Sequence, residues 1–325
     1  MSVAYRSLLT TAWSLTTHLR RFWYVALLGG LLIGSGVGTA TFQVLGADPT
    51  SSVARAITTP REYLGTLAML WAQARATGTG ATAALIAYAA LLSTILIAVM
   101  LLAVHGVNVL ILATERRSRR AAVDITLHRD AMRALVPTTI LHCITKGITI
   151  AVLAGWLQLF IAVAQPTAPI AAPWAVAGFL AATAVLTIIE IVTAFALTSI
   201  VLDGRTPFAA LRDGAALCTR YLRVVLEHSL LFTAAHVAAF LLWLVGSALL
   251  MLPFAFLVGI GSMLRIALIP RIAIPLGMLT LIGFLASIAV LAGIFLVAAW
   301  TLLYLRLTSP GAEPEPWLLR YARKN

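Results

Sequence analysis

Residues 174–201 read WAVAGFLAATAVLTIIEIVTAFALTSIV, and Glu190 is the only charged residue among them. A helix crosses a bilayer with ~20 mostly apolar residues, because the hydrocarbon core is ~30 Å thick and each residue rises ~1.5 Å. Backbone polar groups find no water there, so a crossing segment is a helix or part of a closed barrel. A barrel strand needs only ~10 alternating residues. This run is longer and does not alternate, so it reads as a helix. Five more runs of the same kind occupy about 22–45, 81–113, 137–164, 224–252 and 276–305. The fold class is therefore an all-α integral membrane protein with six transmembrane helices.

Composition agrees. Of the 325 residues 61% are hydrophobic and 10% charged, well outside the soluble range. The formal charge of +12 flanks the apolar runs, which fits anionic phospholipid as a partner and argues against nucleic acid. Cys143 and Cys218 form no CxxC pair, so neither a disulfide framework nor a metal site is expected. The run at 22–45 exceeds the ~7–15 residues of a signal-peptide core and reads as a retained span.

The basic residues also set orientation. Seventeen of the 23 Lys and Arg fall in the N-terminus, the linkers 114–136 and 203–223, and the region from Arg306 onward. Five fall in the gaps on the opposite side, and Lys146 lies within a span. Loops rich in Lys and Arg stay in the cytoplasm, so both termini are expected there.

Three regions result. Residues 1–21 carry Tyr5, Leu8, Leu9, Ala12, Trp13 and Leu19 at helical spacing, the pattern of an interfacial amphipathic helix. Residues 22–307 form the membrane domain, and 308–325 a cytoplasmic tail. In the first span Gly30, Gly34 and Gly38 share one face and allow close helix packing, within the chain or in a homo-oligomer. Thr59, Pro60 and Glu62 mark a helix start, and the surface helix that follows is expected to end near Gly78. Residues 253–275 hold Pro253, Gly259, Gly261, Pro270 and Pro275 and read as a broken, partly inserted loop.

Linkers 114–136 and 203–223 read as two cytoplasmic amphipathic elbow helices. Arg116, Arg117, Arg119 and Arg120 mark the first; Arg205, Arg212, Arg220 and Arg223 mark the second. These arginines would contact lipid, or a membrane or cytoplasmic protein partner. In the second elbow, Thr206 and Pro207 start a helix, with Phe208, Leu211, Ala215, Cys218 and Leu222 at helical spacing. Helix, elbow, helix occurs twice, as a repeat of topology rather than of letters.

The residues Ser199-Ile200-Val201-Leu202-Asp203-Gly204, then Thr206-Pro207-Phe208-Ala209-Ala210-Leu211-Arg212, then Tyr221-Leu222, carry a resemblance. They resemble the elbow of the six-helix membrane domain found beside some glycerophosphodiester phosphodiesterases, and of its stand-alone bacterial relatives. The resemblance implies a six-helix bacterial membrane protein, placed in the inner membrane with both termini cytoplasmic. It does not bring the phosphodiesterase activity, which belongs to a separate soluble domain.

No HExxH, GxSxG or phosphate-binding loop is present, and no catalytic residue or cofactor is assigned. His128-Arg129-Asp130 spells a kinase fragment without its partner motifs. The polar set that stands out is intramembrane. Counted from the cytoplasmic ends of their spans, His105, Lys146, Glu190 and His236 lie ~13, ~14, ~16 and ~18 Å deep, with His142 and Asn108 nearer the surface. A charge at such depth costs ~3 kcal/mol or more unless paired or hydrated, so the set is expected to face inward, with Glu190 and Lys146 as an ion pair. Two readings stand. In one the cluster is a structural lock within a non-catalytic scaffold or accessory subunit of a membrane complex. In the other it is the path of a transporter or permease subunit.

Overall fold

The computed structural model describes residues 5–18, 27, 60–119, 121, 126–163 and 171–309. Among these residues the protein is helical throughout. The elements are α1 (Tyr5–His18), α2 (Pro60–Thr77), α3 (Thr79–Ser118), α4 (Thr126–Arg133), α5 (Leu135–Val163), α6 (Ala171–Asp203), α7 (Pro207–Arg220), α8 (Leu222–Met263) and α9 (Leu268–Thr308). Five of them, α3, α5, α6, α8 and α9, are long and apolar enough to cross a membrane. The expected first span at 22–45, with Gly30, Gly34 and Gly38, lies outside the described residues, apart from Leu27, which packs against the core. The tail from 310 onward and Arg120 also lie outside them.

Local chemistry accounts for several boundaries. Pro60 is the first residue of α2, and Gly78 separates α2 from α3 at φ 123°, a region that residues with a Cβ rarely enter. Gly204 ends α6 in the left-handed conformation, φ 66°, with its N–H donating to the Ile200 carbonyl at 3.1 Å. Pro207 then opens α7, with Thr206 in an extended conformation before it. Thr206 makes no side-chain capping bond, so Pro207 is the stronger start signal here.

The segment 253–275 departs from its sequence reading. Helix α8 runs through Pro253 to Met263, and α9 starts at Leu268 and runs through Pro275. Only a short turn joins them, with Arg265 at φ 55°. Gly261 and, just beyond the segment, Gly277 seat side chains of the facing helix, whereas a Cβ on Gly259 would meet nothing within 4 Å. A Cβ on Gly277 would lie 2.9 Å from the Phe254 ring, and one on Gly261 would lie 2.8 Å from Ile269. Gly246 faces Phe284 in the same way. The two prolines each forgo one backbone bond, which a helix in apolar surroundings tolerates because its other groups have no competing water.

The helices pack tightly at one end and spread at the other. The tight end buries Leu110, Leu127, Leu141, Phe195, Ile200, Ile294 and Leu303 almost completely. Helix α1 lies on α9, with Leu8 and Ala12 buried and Trp13 edge-on to Phe295 at 6.3 Å. At the other end Leu92, Leu96, Leu241, Leu249, Leu279 and Ile282 face outward. An exposed apolar surface of this extent suits lipid rather than water.

The two short helices dock by different means. Helix α7 lays Ala210, Gly214 and Cys218 on α6. The approach is close: a Cβ on Gly214 would lie 2.9 Å from the Val192 carbonyl oxygen. Phe208 and Leu222 point outward. Helix α4 buries Leu127 and Ala131 in the core and is held by polar contacts as well. Asn108, fully buried on α3, donates to the Ala131 carbonyl at 3.2 Å and to the Thr138 hydroxyl at 3.1 Å.

Candidate functional site: a polar cavity between five helices

Where the packed end gives way to the spread end, a cavity of about 200 Å³ opens between α3, α5, α6, α8 and α9. Each helix contributes a face set by helical spacing. From α5 come His142, Thr145, Lys146 and Thr149; from α6, Thr187, Glu190, Thr193 and Thr198. Ser229 and Thr233 of α8 and Trp300 and Thr301 of α9 complete the polar wall. Val107 and Ile111 of α3 close one apolar side.

Most hydroxyls on this wall use their hydrogen within their own helix. Thr145 donates to the Leu141 carbonyl at 3.0 Å and Thr149 to the Thr145 carbonyl at 2.9 Å. Thr187, Thr193 and Thr198 donate four residues back at 2.8, 2.6 and 2.9 Å. Ser229 and Thr233 do the same at 2.9 Å each. A hydroxyl bonded this way presents only lone pairs to the cavity. The wall is thus an array of acceptors.

The donors are fewer. Lys146 takes part in none of the ion pairs formed among the described residues, which are Arg116–Asp130, Glu115–Arg119, Asp130–Arg133 and Arg205–Asp213. His142 is 4% exposed, and neither ring nitrogen has a hydrogen-bond partner among the described residues. Thr301 is fully buried, and its hydroxyl likewise has none. Buried polar groups in folded proteins are bonded with few exceptions, so two lining one cavity mark a place where water or a solute belongs.

Beneath the cavity lies an aromatic cluster. The Trp300 ring sits 5.2 Å from Phe232, 5.1 Å from His228 and 5.5 Å from Phe195. His228 meets Phe232 edge-on at 4.3 Å.

The structure brings together three of the five intramembrane residues singled out from sequence: Glu190, Lys146 and His142 line this one cavity. A direct Glu190–Lys146 contact is not among the described ion pairs. His105 stands apart from the wall, with its Nε2 3.2 Å from Nδ1 of His128 on α4 and the rings stacked at 5.4 Å. The His236 side chain lies outside the described residues. Sequence reasoning passed over the threonines. Each is an ordinary helix residue by itself, and only their shared register around four helices makes a site.

The elbow arginines divide in the same way. Arg116 turns inward, bonding Asp130 at 2.7 Å and the Thr126 hydroxyl at 3.0 Å, and so ties α4 to the end of α3. Arg119 pairs with Glu115 at 2.6 Å, and Arg205 reaches Asp213 at 3.6 Å. Arg220 lies over the Tyr221 ring at 5.3 Å. Arg117, Arg212, Arg220 and Arg223 are exposed. Among the described residues no group of His, Cys, Asp and Glu is arranged to hold a metal ion.

Compared with protein-family models, with curated proteins and with solved structures, the chain matches none.

Proposed function

We propose that this is a six-span bacterial inner-membrane protein that admits a small solute into the cavity between its helices, as a transporter or permease subunit without catalytic activity. The observation that carries the reading is the cavity: an array of hydroxyl acceptors, an ammonium outside the described ion pairs, and two buried polar side chains, His142 and Thr301, without hydrogen-bond partners among the described residues. The five apolar helices, with 22–45 as the sixth span, fit the count, and the distribution of Lys and Arg supports cytoplasmic termini. On this topology α4 and α7 lie at the cytoplasmic face. The resemblance of 199–222 to the six-helix domain supports the same plan.

A scaffold or accessory-subunit reading is favoured by a different observation. Arg117, Arg212, Arg220 and Arg223 face outward from one end of the bundle together with Phe208, which is 73% exposed. Such a surface suits anionic lipid or a protein partner.

Thiol labelling separates the two. Thr193→Cys is made in a chain with Cys143 and Cys218 replaced by Ser. A charged, water-borne methanethiosulfonate should modify position 193 in intact membranes. Modification only by a lipid-soluble maleimide would mean a dry site and favour the scaffold.

A further inference from the structure

We infer that His105 of α3 and His128 of α4 form a proton-sensitive latch, which holds α4 on the bundle while both rings are neutral and loosens it when they take up protons. The latch stands on this pair and is independent of the cavity. The topology proposed above adds only that the side it senses is the cytoplasm.

The geometry fixes where the hydrogens sit. Nε2 of His105 lies 3.2 Å from Nδ1 of His128, so one hydrogen occupies the bond between them. The other nitrogen of His105, Nδ1, is buried and has no hydrogen-bond partner among the described residues. Two neutral rings carry one N–H each. If His128 donated, the hydrogen of His105 would have to sit on Nδ1, as a buried donor without an acceptor, which is costly. The neutral pair that fits has His105 Nε2–H donating to His128 Nδ1. His128 then carries its own hydrogen on Nε2, and His105 Nδ1 is bare.

Added protons fit this arrangement badly. With one more, three hydrogens serve four nitrogens. One must stay in the bond, so the others take His128 Nε2 and His105 Nδ1. That creates the buried donor just avoided, now on a charged pair. With two more, both facing nitrogens carry hydrogen. The bond is lost, and two cations face each other across 3.2 Å with their rings stacked. Docking that requires neutral rings is present above the histidine range and is lost as pH falls through it.

The surrounding groups leave the pair as the sensing element. Among the described residues, His128 is the titratable group whose charge bears on His105. On α4, Asp130 is held by Arg116 of α3 at 2.7 Å and faces Arg133 at 3.7 Å, while Arg129 is exposed. Glu115 of α3 pairs with Arg119. The helices that also pack on α3 or α4 direct their charges elsewhere. His142 and Lys146 of α5 and Glu190 of α6 line the cavity, Asp203 of α6 meets Tyr304 of α9, and Arg75 of α2 lies over Trp71. Asn108 still bonds the Ala131 carbonyl when the latch opens, so the change is a loosening of α4 rather than unfolding of the bundle.

The test uses the full chain in lipid nanodiscs. Backbone hydrogen exchange is followed at about pH 7.5 and about pH 5.5, either side of the ordinary histidine value of ~6.5, and corrected for intrinsic rates. Protection of 126–133 should fall at least about tenfold at the lower pH, the factor of one histidine titrating a full unit below its ordinary value. Protection of 297–303 in α9 should not change. His128→Asn places an amide where Nδ1 stood and cannot take up a proton. It should keep the protection seen at the higher pH and lose the step. His105→Gln does the same from the other side, should the first variant fail to dock α4. Asp130→Asn should retain the step, which separates the pair from the carboxylate. The inference is overturned if wild-type protection of 126–133 is equal at both pH values, if 297–303 falls with it, if the docked His128→Asn or His105→Gln chain keeps the step, or if Asp130→Asn abolishes it.

Discussion

Tyr304, one turn before the end of α9, donates its hydroxyl hydrogen to the carboxylate of Asp203, the last residue of α6. The bond joins two helices a hundred residues apart in sequence, just above the core formed by Phe195, Ile200 and Leu303. A hydrogen bond to a charged acceptor contributes about 1.5–3 kcal/mol. Tyr304→Phe should therefore lower stability by about 1–2 kcal/mol and leave the helical content unchanged. Thermal unfolding in mild detergent, followed by circular dichroism, measures both. An unchanged melting point would mean the bond adds nothing to the clamp.

Gly214 and Gly147 make a matched pair of probes. Alanine at 214 would drive its Cβ against the Val192 carbonyl at 2.9 Å, a backbone atom that cannot step aside. Helix α7 must then lift from α6, at an overpacking cost of about 1–3 kcal/mol. At Gly147 nothing lies within 4 Å, so alanine there should be neutral or slightly stabilising through helix propensity. Equal melting points for the two variants would contradict the close approach of α7 and α6.

Much of this architecture was legible in the sequence for simple reasons. Apolar length marks a helix that can cross a bilayer, and Pro60, Gly78, Gly204 and Pro207 mark ends through backbone geometry. Pro253 and Pro275 misled, because their breaking effect is weak where backbone groups have no competing partner. Gly261 misled for a related reason: it receives Ile269 from the opposite helix. The cavity was half visible. Lys146 and Glu190 stand out as charges in apolar runs, but the rotation that turns Thr145, Thr193 and Thr233 toward them is set by tertiary packing. Arg116 looked like an outward basic residue until Asp130 placed a carboxylate 2.7 Å from it.

Asn108 links α3 to both α4 and α5 through the Ala131 carbonyl and the Thr138 hydroxyl. Asn108→Leu removes both bonds and leaves the Ala131 carbonyl without this donor, a cost of about 1–3 kcal/mol for a buried group. Hydrogen exchange should rise across 126–133 before it rises in α9. Uniform protection across both segments would show that α4 does not depend on Asn108.

The two cysteines should differ in reactivity. Cys218 is buried against α6, and burial pushes its thiol pKa up. Only the thiolate attacks, so a raised pKa leaves less nucleophile at neutral pH, and the rate should climb as pH rises through the shifted value. Water-borne iodoacetamide at pH 7 should leave Cys218 unmodified in the folded chain and modify it after denaturation. Rapid modification of the folded chain at pH 7 would contradict the docking of α7.

The central claim is that the cavity between α3, α5, α6, α8 and α9 is wet and open to solutes within an apolar bundle. Nitroxide labels at two α6 positions test it most directly. Thr193→Cys lines the cavity, whereas Ile188→Cys replaces an outward residue that is 53% exposed. Collision with a water-soluble nickel chelate and with oxygen is then measured by electron paramagnetic resonance in lipid vesicles. The account predicts that nickel relaxes the label at 193 more than oxygen does, with the reverse at 188. Oxygen dominance at both positions would mean a dry site and would contradict it.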